Sequence, residues 1–287
     1  MQTKVLIIGS RGAVGSQLIQ TLIKSKNKKY KGISRKNFDF KDFNKLKKII
    51  NNYKPSHIIN CAAITGLLQC EENINEAFEI NTCLPLKLSK LVERKKIKFI
   101  HFSTDAVFSG SIKKKIYDEN DLPNPTSIYG KTKFFAEELI KFNKNVLIIR
   151  LPILFGPSNK NQIIDKLTTN LLNNKKVLAS TDIFSTPVFT PYLCSFICNK
   201  IIFKNKFFNK RIIHFTSNEY MSIYELIKKI SIKLKINNKI NKVKDSYFKS
   251  KIIKPKNLGL KSIYKHNTYF KDFSIKELIP NKFKNKK

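Results

Sequence analysis

Short apolar runs punctuate the first half of the chain: KVLIIGS (Lys4 to Ser10), HIINCAA (57 to 63), IKFIHFS (97 to 103) and VLIIRLP (146 to 152). Each is rich in β-branched residues and is apolar without alternation, which marks a strand buried on both faces of a parallel sheet. Between them, apolar positions recur at helical spacing around Leu46 to Ile50, Ala77 to Val92 and Phe134 to Phe142. Buried strand alternating with amphipathic helix predicts right-handed βαβ units. The expected fold class is therefore α/β, a doubly wound parallel sheet of the Rossmann type.

After about residue 155 the rhythm weakens. Ile163 to Leu172 and Ile223 to Leu234 read as helices, RIIHFTS (211 to 217) reads as a strand, and the tail beyond Phe270 is polar and short. A chain of 287 residues accommodates one large domain with a smaller appendage. The expected division is a cofactor-binding core over 1–155 and a smaller, mainly substrate-binding region over 156–287, with some segments returning to the core.

Composition changes this picture little. A hydrophobic content of 41% argues against disorder. Because no apolar run is long enough to span a bilayer and MQTKVLIIGS lacks signal-peptide features, a cytoplasmic location is expected. The net charge of +36 comes almost entirely from Lys spread along the whole chain, which reads as a solvated basic surface. No specific nucleic-acid or membrane partner is expected, and self-association, if any, as a homodimer. The five Cys (61, 70, 83, 194 and 198) keep no metal spacing with the His residues, so no metal is expected and the thiols read as reduced and buried.

The candidate chemistry begins in GSRGAVGS, directly after the first strand. Gly9 suits a tight turn, Gly12 a close approach of backbone N–H groups to a pyrophosphate, and Gly15 close packing of helix on sheet. Arg11, Ala13 and Val14 complete that loop as cofactor-binding candidates. At the end of the second strand, where an acidic residue would favour NAD, Ser34 and Arg35 stand instead. A hydroxyl beside a guanidinium suits a 2′-phosphate, so NADPH is the expected cofactor, with NADH as the alternative. The small residues of NCAAIT, among them Ala62, Ala63 and Thr65, let backbone approach a flat ligand. The fourth strand carries Thr104 and Asp105 to the carboxyl edge of the sheet, where open α/β folds bind ligands.

SIYGKTKFFAEE then places Tyr129 four residues before Lys133. In this lysine-rich chain with 10 Tyr, chance alone gives roughly two such spacings, so the spacing decides nothing by itself. Tyr224 with Lys228 and Tyr247 with Lys251 repeat it.

In order, GxxGxxG, DF (Asp39, Phe40), NCAAIT, CEEN, IN (Ile80, Asn81), STDAVFSG, PNPTSIYGKTKFFAEE and RLPILFG resemble the extended short-chain dehydrogenase/reductases. Within these they are most similar to the dTDP-4-dehydrorhamnose reductase family. The resemblance spans roughly residues 4–157 and thins to TDIFSTP (181 to 187) and KPKNLGL (254 to 260). It implies reduction of a 4-keto nucleotide sugar, with Tyr129 as general acid and Lys133 lowering the tyrosine pKa while holding the nicotinamide ribose. Thr104 would polarise the carbonyl, and Asp105 and a residue at Ile153 would contact the sugar; Asp39 and Phe40 join the cofactor contacts. Ala106 stands where related dehydratases carry a Glu, so dehydration is not implied. Ile153 and Ile183 replace an aromatic residue and a Gln of the family pattern. The resemblance also extends to noncatalytic NADP(H)-binding regulatory subunits of the same fold, and to reductases or epimerases acting on other nucleotide sugars.

Overall fold

The structure, a computed structural model, describes residues 3–264 apart from 27–28, 37, 158–161, 237–239, 251 and 253. The polar tail beyond Phe270 lies outside the described residues. The first half runs β1 (Val5–Ile8), α1 (Ala13–Lys24), β2 (Tyr30–Ile33), α2 (Phe43–Tyr53), β3 (His57–Asn60), α3 (Leu67–Glu72), α4 (Ile74–Phe78), α5 (Leu84–Lys95), β4 (Lys98–Thr104), β5 (Ile116–Tyr117), α6 (Ile128–Ile140) and β6 (Val146–Leu151). The remainder runs β7 (Leu154–Phe155), α7 (Ile163–Leu172), β8 (Val177–Ser180), β9 (Phe184–Ser185), β10 (Val188–Phe189), α8 (Thr190–Phe196), β11 (Ile212–His214), β12 (Met221–Ser222), α9 (Ile223–Lys233), β13 (Ile240–Val243) and β14 (Asn257–Leu260).

Each apolar run forms a strand, trimmed where the chain must turn over the sheet edge. The main sheet is parallel in the order β2-β1-β3-β4-β6-β11. From β1 the chain steps outward to β2, whereas from β3 onward it progresses the other way. The order therefore reverses between β1 and β3, and at such a point the loops splay to leave a crevice beyond the carboxyl ends of the strands.

Strand side chains alternate between two cores. Leu6, Ile8, Ile58, Phe99 and Ile148 pack with Leu46 and Ile50 of α2, Leu88 and Val92 of α5 and Ile140 of α6. On the other face Val5, Ile7, Ile59, Ile100 and Ile149 meet Leu18 and Leu22 of α1 and Leu193 and Cys194 of α8. Burial on both faces accounts for the unbroken apolar runs. A separate core gathers Phe155, Ile164, Leu171, Val177, Leu226, Ile227 and Ile230 between α7, α9 and the β8–β13 pair. β11 returns from this later part of the chain to the far edge of the main sheet.

The thiol reading needs one correction. All five cysteines are free, yet Cys61 and Cys83 are only partly buried. Cys61 follows β3 at the sheet edge, and Cys83 ends the π-helical turn Glu79–Cys83 that joins α4 to α5. No described helix is long and apolar enough to cross a membrane.

Candidate active site

The glycines after β1 are required by contact. Gly9 has φ +80°, and a Cβ there would lie 2.6 Å from the Ala62 backbone nitrogen. The loop after β1 is thus pressed against the loop after β3, and a side chain would force them apart. At Gly15 a Cβ would lie 2.4 Å from the Gly9 carbonyl oxygen, so helix and loop meet backbone to backbone. At Gly12 the nearest atom is 3.2 Å away and the next 4.0 Å. That glycine is the N-cap of α1 and supplies no side-chain cap, so no side chain caps the first-turn amides of Ala13, Val14 and Gly15.

The other cofactor candidates gather around this loop. Ser34 is buried at the end of β2, and the exposed Arg35 guanidinium donates to the Ala63 carbonyl over 3.4 Å. Arg11 and Thr65 are exposed on the adjoining loops. Asp39 is exposed and accepts from the Lys41 amide at 2.9 Å, while Phe40 is buried with its ring 5.8 Å from Phe38. These two hold the turn that follows Arg35. The uncapped helix start, the glycine approach and the hydroxyl–guanidinium pair fit a phosphorylated dinucleotide.

One crossing element away, α6 begins at Ser127, whose hydroxyl accepts from the Gly130 amide at 3.1 Å. Gly130 then sits directly on the turn Asp105–Val107: a Cβ would lie 2.2 Å from the Ala106 carbonyl oxygen. This backbone contact sets Tyr129 beside Thr104. The Thr104 hydroxyl donates to the Asp105 carboxylate at 3.0 Å and accepts from the Ala106 amide at 3.2 Å. Burial pushes the Tyr129 phenol above its ordinary range; the Thr104 hydroxyl opposes the shift and the Asp105 carboxylate adds to it. Burial also pushes Asp105 up to about 7, against hydrogen bonds from Thr104 and the Ala106 backbone. The phenol is held protonated, the state a proton donor requires. The expected lowering of its pKa by Lys133 is not what the structure shows, because burial outweighs the opposing hydrogen bond and the only group lowering it is the Thr104 hydroxyl.

Lys133 lies one turn further along α6 and is 2% exposed. Its Nζ sits 3.0 Å from Nε2 of His101. Burial lowers its pKa to about 7, with the Glu137 carboxylate opposing. The other two Tyr–Lys spacings differ in kind. Tyr224 packs on the separate core under the Lys242 ammonium, while Lys228 is exposed. Tyr247 is 60% exposed, and Lys251 lies outside the described residues.

Ile153 emerges two residues past Leu151, the register partner of Thr104, and packs with Ile183 on the separate core. It thus stands at the same sheet edge, where the two halves of the chain meet.

Several buried polar residues, of which the sequence motifs name only Asn81, hold these parts in place. Asn81, in the π turn, donates to the Ile64 carbonyl and accepts from the Ile64 amide, both at 2.9 Å, and reaches the Thr132 hydroxyl at 3.1 Å. It ties the loop after β3 to α6. Glu137 and Arg150, 0% and 3% exposed, form a buried ion pair with an Oε2–Nη2 distance of 2.7 Å that fastens α6 to β6. Asn60 and His101, register partners on β3 and β4, carry the contact behind Lys133. For Glu137 the sequence signal is spacing: Tyr129, Lys133 and Glu137 recur every four residues, so one helical stripe carries all three. Among the described residues, no group of three or more His, Cys, Asp or Glu could hold a metal ion.

Known proteins resemble this chain in sequence and fold. The chain is 29% identical over 189 residues to the spore coat polysaccharide biosynthesis protein SpsK of Bacillus subtilis, a match covering 66% of each chain. To a dTDP-4-dehydrorhamnose reductase of Aggregatibacter actinomycetemcomitans it is 28% identical over 227 residues, covering 77% of this chain and 76% of that one. Among solved structures, a dTDP-4-dehydrorhamnose reductase from Clostridium acetobutylicum superposes with a TM-score of 0.80 at 28% identity, over 90% of both chains. The family profile described as RmlD substrate binding domain matches residues 3–277, nearly the whole chain. The chain belongs to the RmlD substrate binding domain family.

Proposed function

We propose that this chain is an NADPH-dependent reductase of a 4-keto nucleotide sugar, converting dTDP-4-dehydrorhamnose to dTDP-L-rhamnose. The observation that carries this reading is the convergence of Thr104, Tyr129 and the buried Lys133 at the sheet edge, beside a glycine loop built for a dinucleotide. A binding-only protein has no need of a desolvated proton donor next to that loop.

The bound nicotinamide supplies hydride to the carbonyl carbon. Tyr129 gives its phenolic proton to the carbonyl oxygen, so that C=O becomes CH–OH and the phenolate is reprotonated from solvent. Thr104 orients that oxygen and polarises it. Lys133, one turn along α6, is the proposed contact to the nicotinamide ribose, and Asp105 and Ile153 are the proposed contacts to the sugar. Ser34 and Arg35 take the 2′-phosphate, while Gly9 to Gly15, Asp39, Phe40, Ala62, Ala63 and Thr65 line the remainder of the cofactor's path. Residues 1–155 bind the cofactor and 156–287 mainly receive the nucleotide sugar, in the cytoplasm.

The test is consumption of NADPH, followed by its absorbance, with purified protein and a panel of nucleotide-linked 4-keto sugars. Turnover with dTDP-4-dehydrorhamnose is expected, and with NADPH bound more tightly than NADH. Cofactor binding without oxidation by any sugar of the panel contradicts the catalytic reading, and tighter NADH binding contradicts the role of Ser34 and Arg35.

A further inference from the structure

Behind Lys133 lies a buried polar chain that the reductase chemistry does not use. Nζ of Lys133 is 3.0 Å from Nε2 of His101, Nδ1 of His101 is 3.2 Å from Nδ2 of Asn60, and Oδ1 of Asn60 accepts from the Ala62 amide at 3.2 Å. Lys133, His101 and Asn60 are all at most 2% exposed, so these partners are not exchanged for bulk water.

The direction of each hydrogen bond follows from its fixed end. A backbone N–H can only donate, so the Asn60 atom facing Ala62 is its oxygen. The atom facing His101 is then the amide NH2, a donor. Nδ1 must accept, and a neutral imidazole accepting at Nδ1 carries its hydrogen on Nε2. That hydrogen points at Lys133. An ammonium has three donors and no lone pair, so an ammonium there would set donor against donor, whereas an amine can accept. An imidazolium would be worse, facing donors at both ends.

We infer that His101, locked by Asn60 in its Nε2–H form, donates to Lys133 and holds it as an uncharged amine in the cofactor-free protein. His101 and Asn60 are thus positioning residues for the lysine of the proposed reductase. The inference rests on that reductase reading for its functional meaning and on the hydrogen-bond directions for its content.

The surroundings agree. Lys133 meets His101 from β4 and the uncharged Asn60 from β3 through it, with Tyr129 and Glu137 on its own helix. Glu137 is the one carboxylate that raises the lysine pKa, and it is already engaged by Arg150 of β6. On the π-turn side the polar neighbours of α6 are Asn81 and Thr82, which bond Thr132 and carry no charge. Burial holds both His101 and Lys133 towards their neutral forms.

Two-bond proton–nitrogen correlation spectra of the cofactor-free, histidine-labelled protein read the tautomer directly. The expected pattern for His101 at neutral pH is Nε2–H with an unprotonated Nδ1; an Nδ1–H or doubly protonated ring overturns the inference. In Asn60→Asp one carboxylate oxygen can keep the Ala62 amide while the other accepts from Nδ1–H. The tautomer inverts, Nε2 accepts, and Lys133 becomes cationic. The lysine inflection in the pH dependence of NADPH binding should then move alkaline by about one unit or more; an unmoved inflection overturns the inference. The wild-type spectrum decides the matter even if N60D does not fold. Because it needs no substrate, a protein showing the expected tautomer but no turnover contradicts the reductase reading and not the tautomer.

Discussion

Around α6 the parts are fastened by buried polar side chains: Glu137 with Arg150, Asn81 with the Ile64 backbone, Lys133 with His101. Around α7 and α9 the fastening is apolar, through Leu171, Val177, Leu226, Ile227 and Ile230. Its polar bonds lie nearer the surface, as in the Ser222–Glu225 capping box of α9 and the Lys256–Asp182 pair at 2.8 Å. Apolar surface accepts many arrangements at nearly equal energy, whereas a buried hydrogen-bonded group accepts few. The part that must hold a phenol and a lysine in register uses the restrictive kind of contact. The part proposed to shape itself to a sugar uses the permissive kind.

The largest break in that comparison is expected from Arg150→Leu. It strands the Glu137 carboxylate in the core, and removing one partner of a buried pair costs about 3–5 kcal/mol. Urea denaturation checks this, and a loss like that of an exposed pair would show that the ion pair is not what anchors α6.

Next comes the pH dependence of stability. Asp105 has its pKa raised from 3.8 to about 7, so between those values the folded state holds a proton that the unfolded chain has released. Stability from this group is full below the lower value and is lost as pH rises through the window. Lys133 is shifted from 10.5 to about 7, so the unfolded chain holds the extra proton there and stability rises with pH across that higher window. Asp105→Asn should therefore raise the Tm at pH values above the Asp105 window relative to wild type and leave it little changed at acid pH. Thermal melts across that range check the sign; an equal shift at every pH contradicts it.

The smallest effect should come from the permissive half. Ile227→Val removes one methylene from the separate core, at a cost of about 0.5–1.5 kcal/mol. NADPH affinity should be unchanged, as measured by calorimetry on the same samples. A matching loss of affinity would show that the two halves are not held independently.

What the sequence made legible follows the same division. The main-sheet strands could be read because burial on both faces leaves an unbroken apolar run, and the glycine loop because only glycine fits at Gly9 and Gly15. The helical spacing over Ile163 to Leu172 coincides with α7. Helix ends were harder: α2 and α5 stop at Lys54 and Lys96, both in the left-handed conformation that glycine usually marks, so the common stop signal is missing. The two-residue strands β5, β7, β9, β10 and β12 leave no periodicity to detect. Asn60, His101, Glu137 and Arg150 went unread for a different reason, and Asn81 stood out only through its motif, without its partners, for the same one. A polar residue inside an apolar run shows its partner only when the fold brings together positions 13 to 51 residues apart.

Proton delivery by Tyr129 stands or falls with single-turnover oxidation of bound NADPH in Tyr129→Phe with dTDP-4-dehydrorhamnose. The phenyl ring keeps the packing and removes only the hydroxyl. The predicted result is NADPH binding as in wild type with the rate of oxidation reduced by about 10²–10⁴-fold. A rate near that of wild type would contradict the assignment.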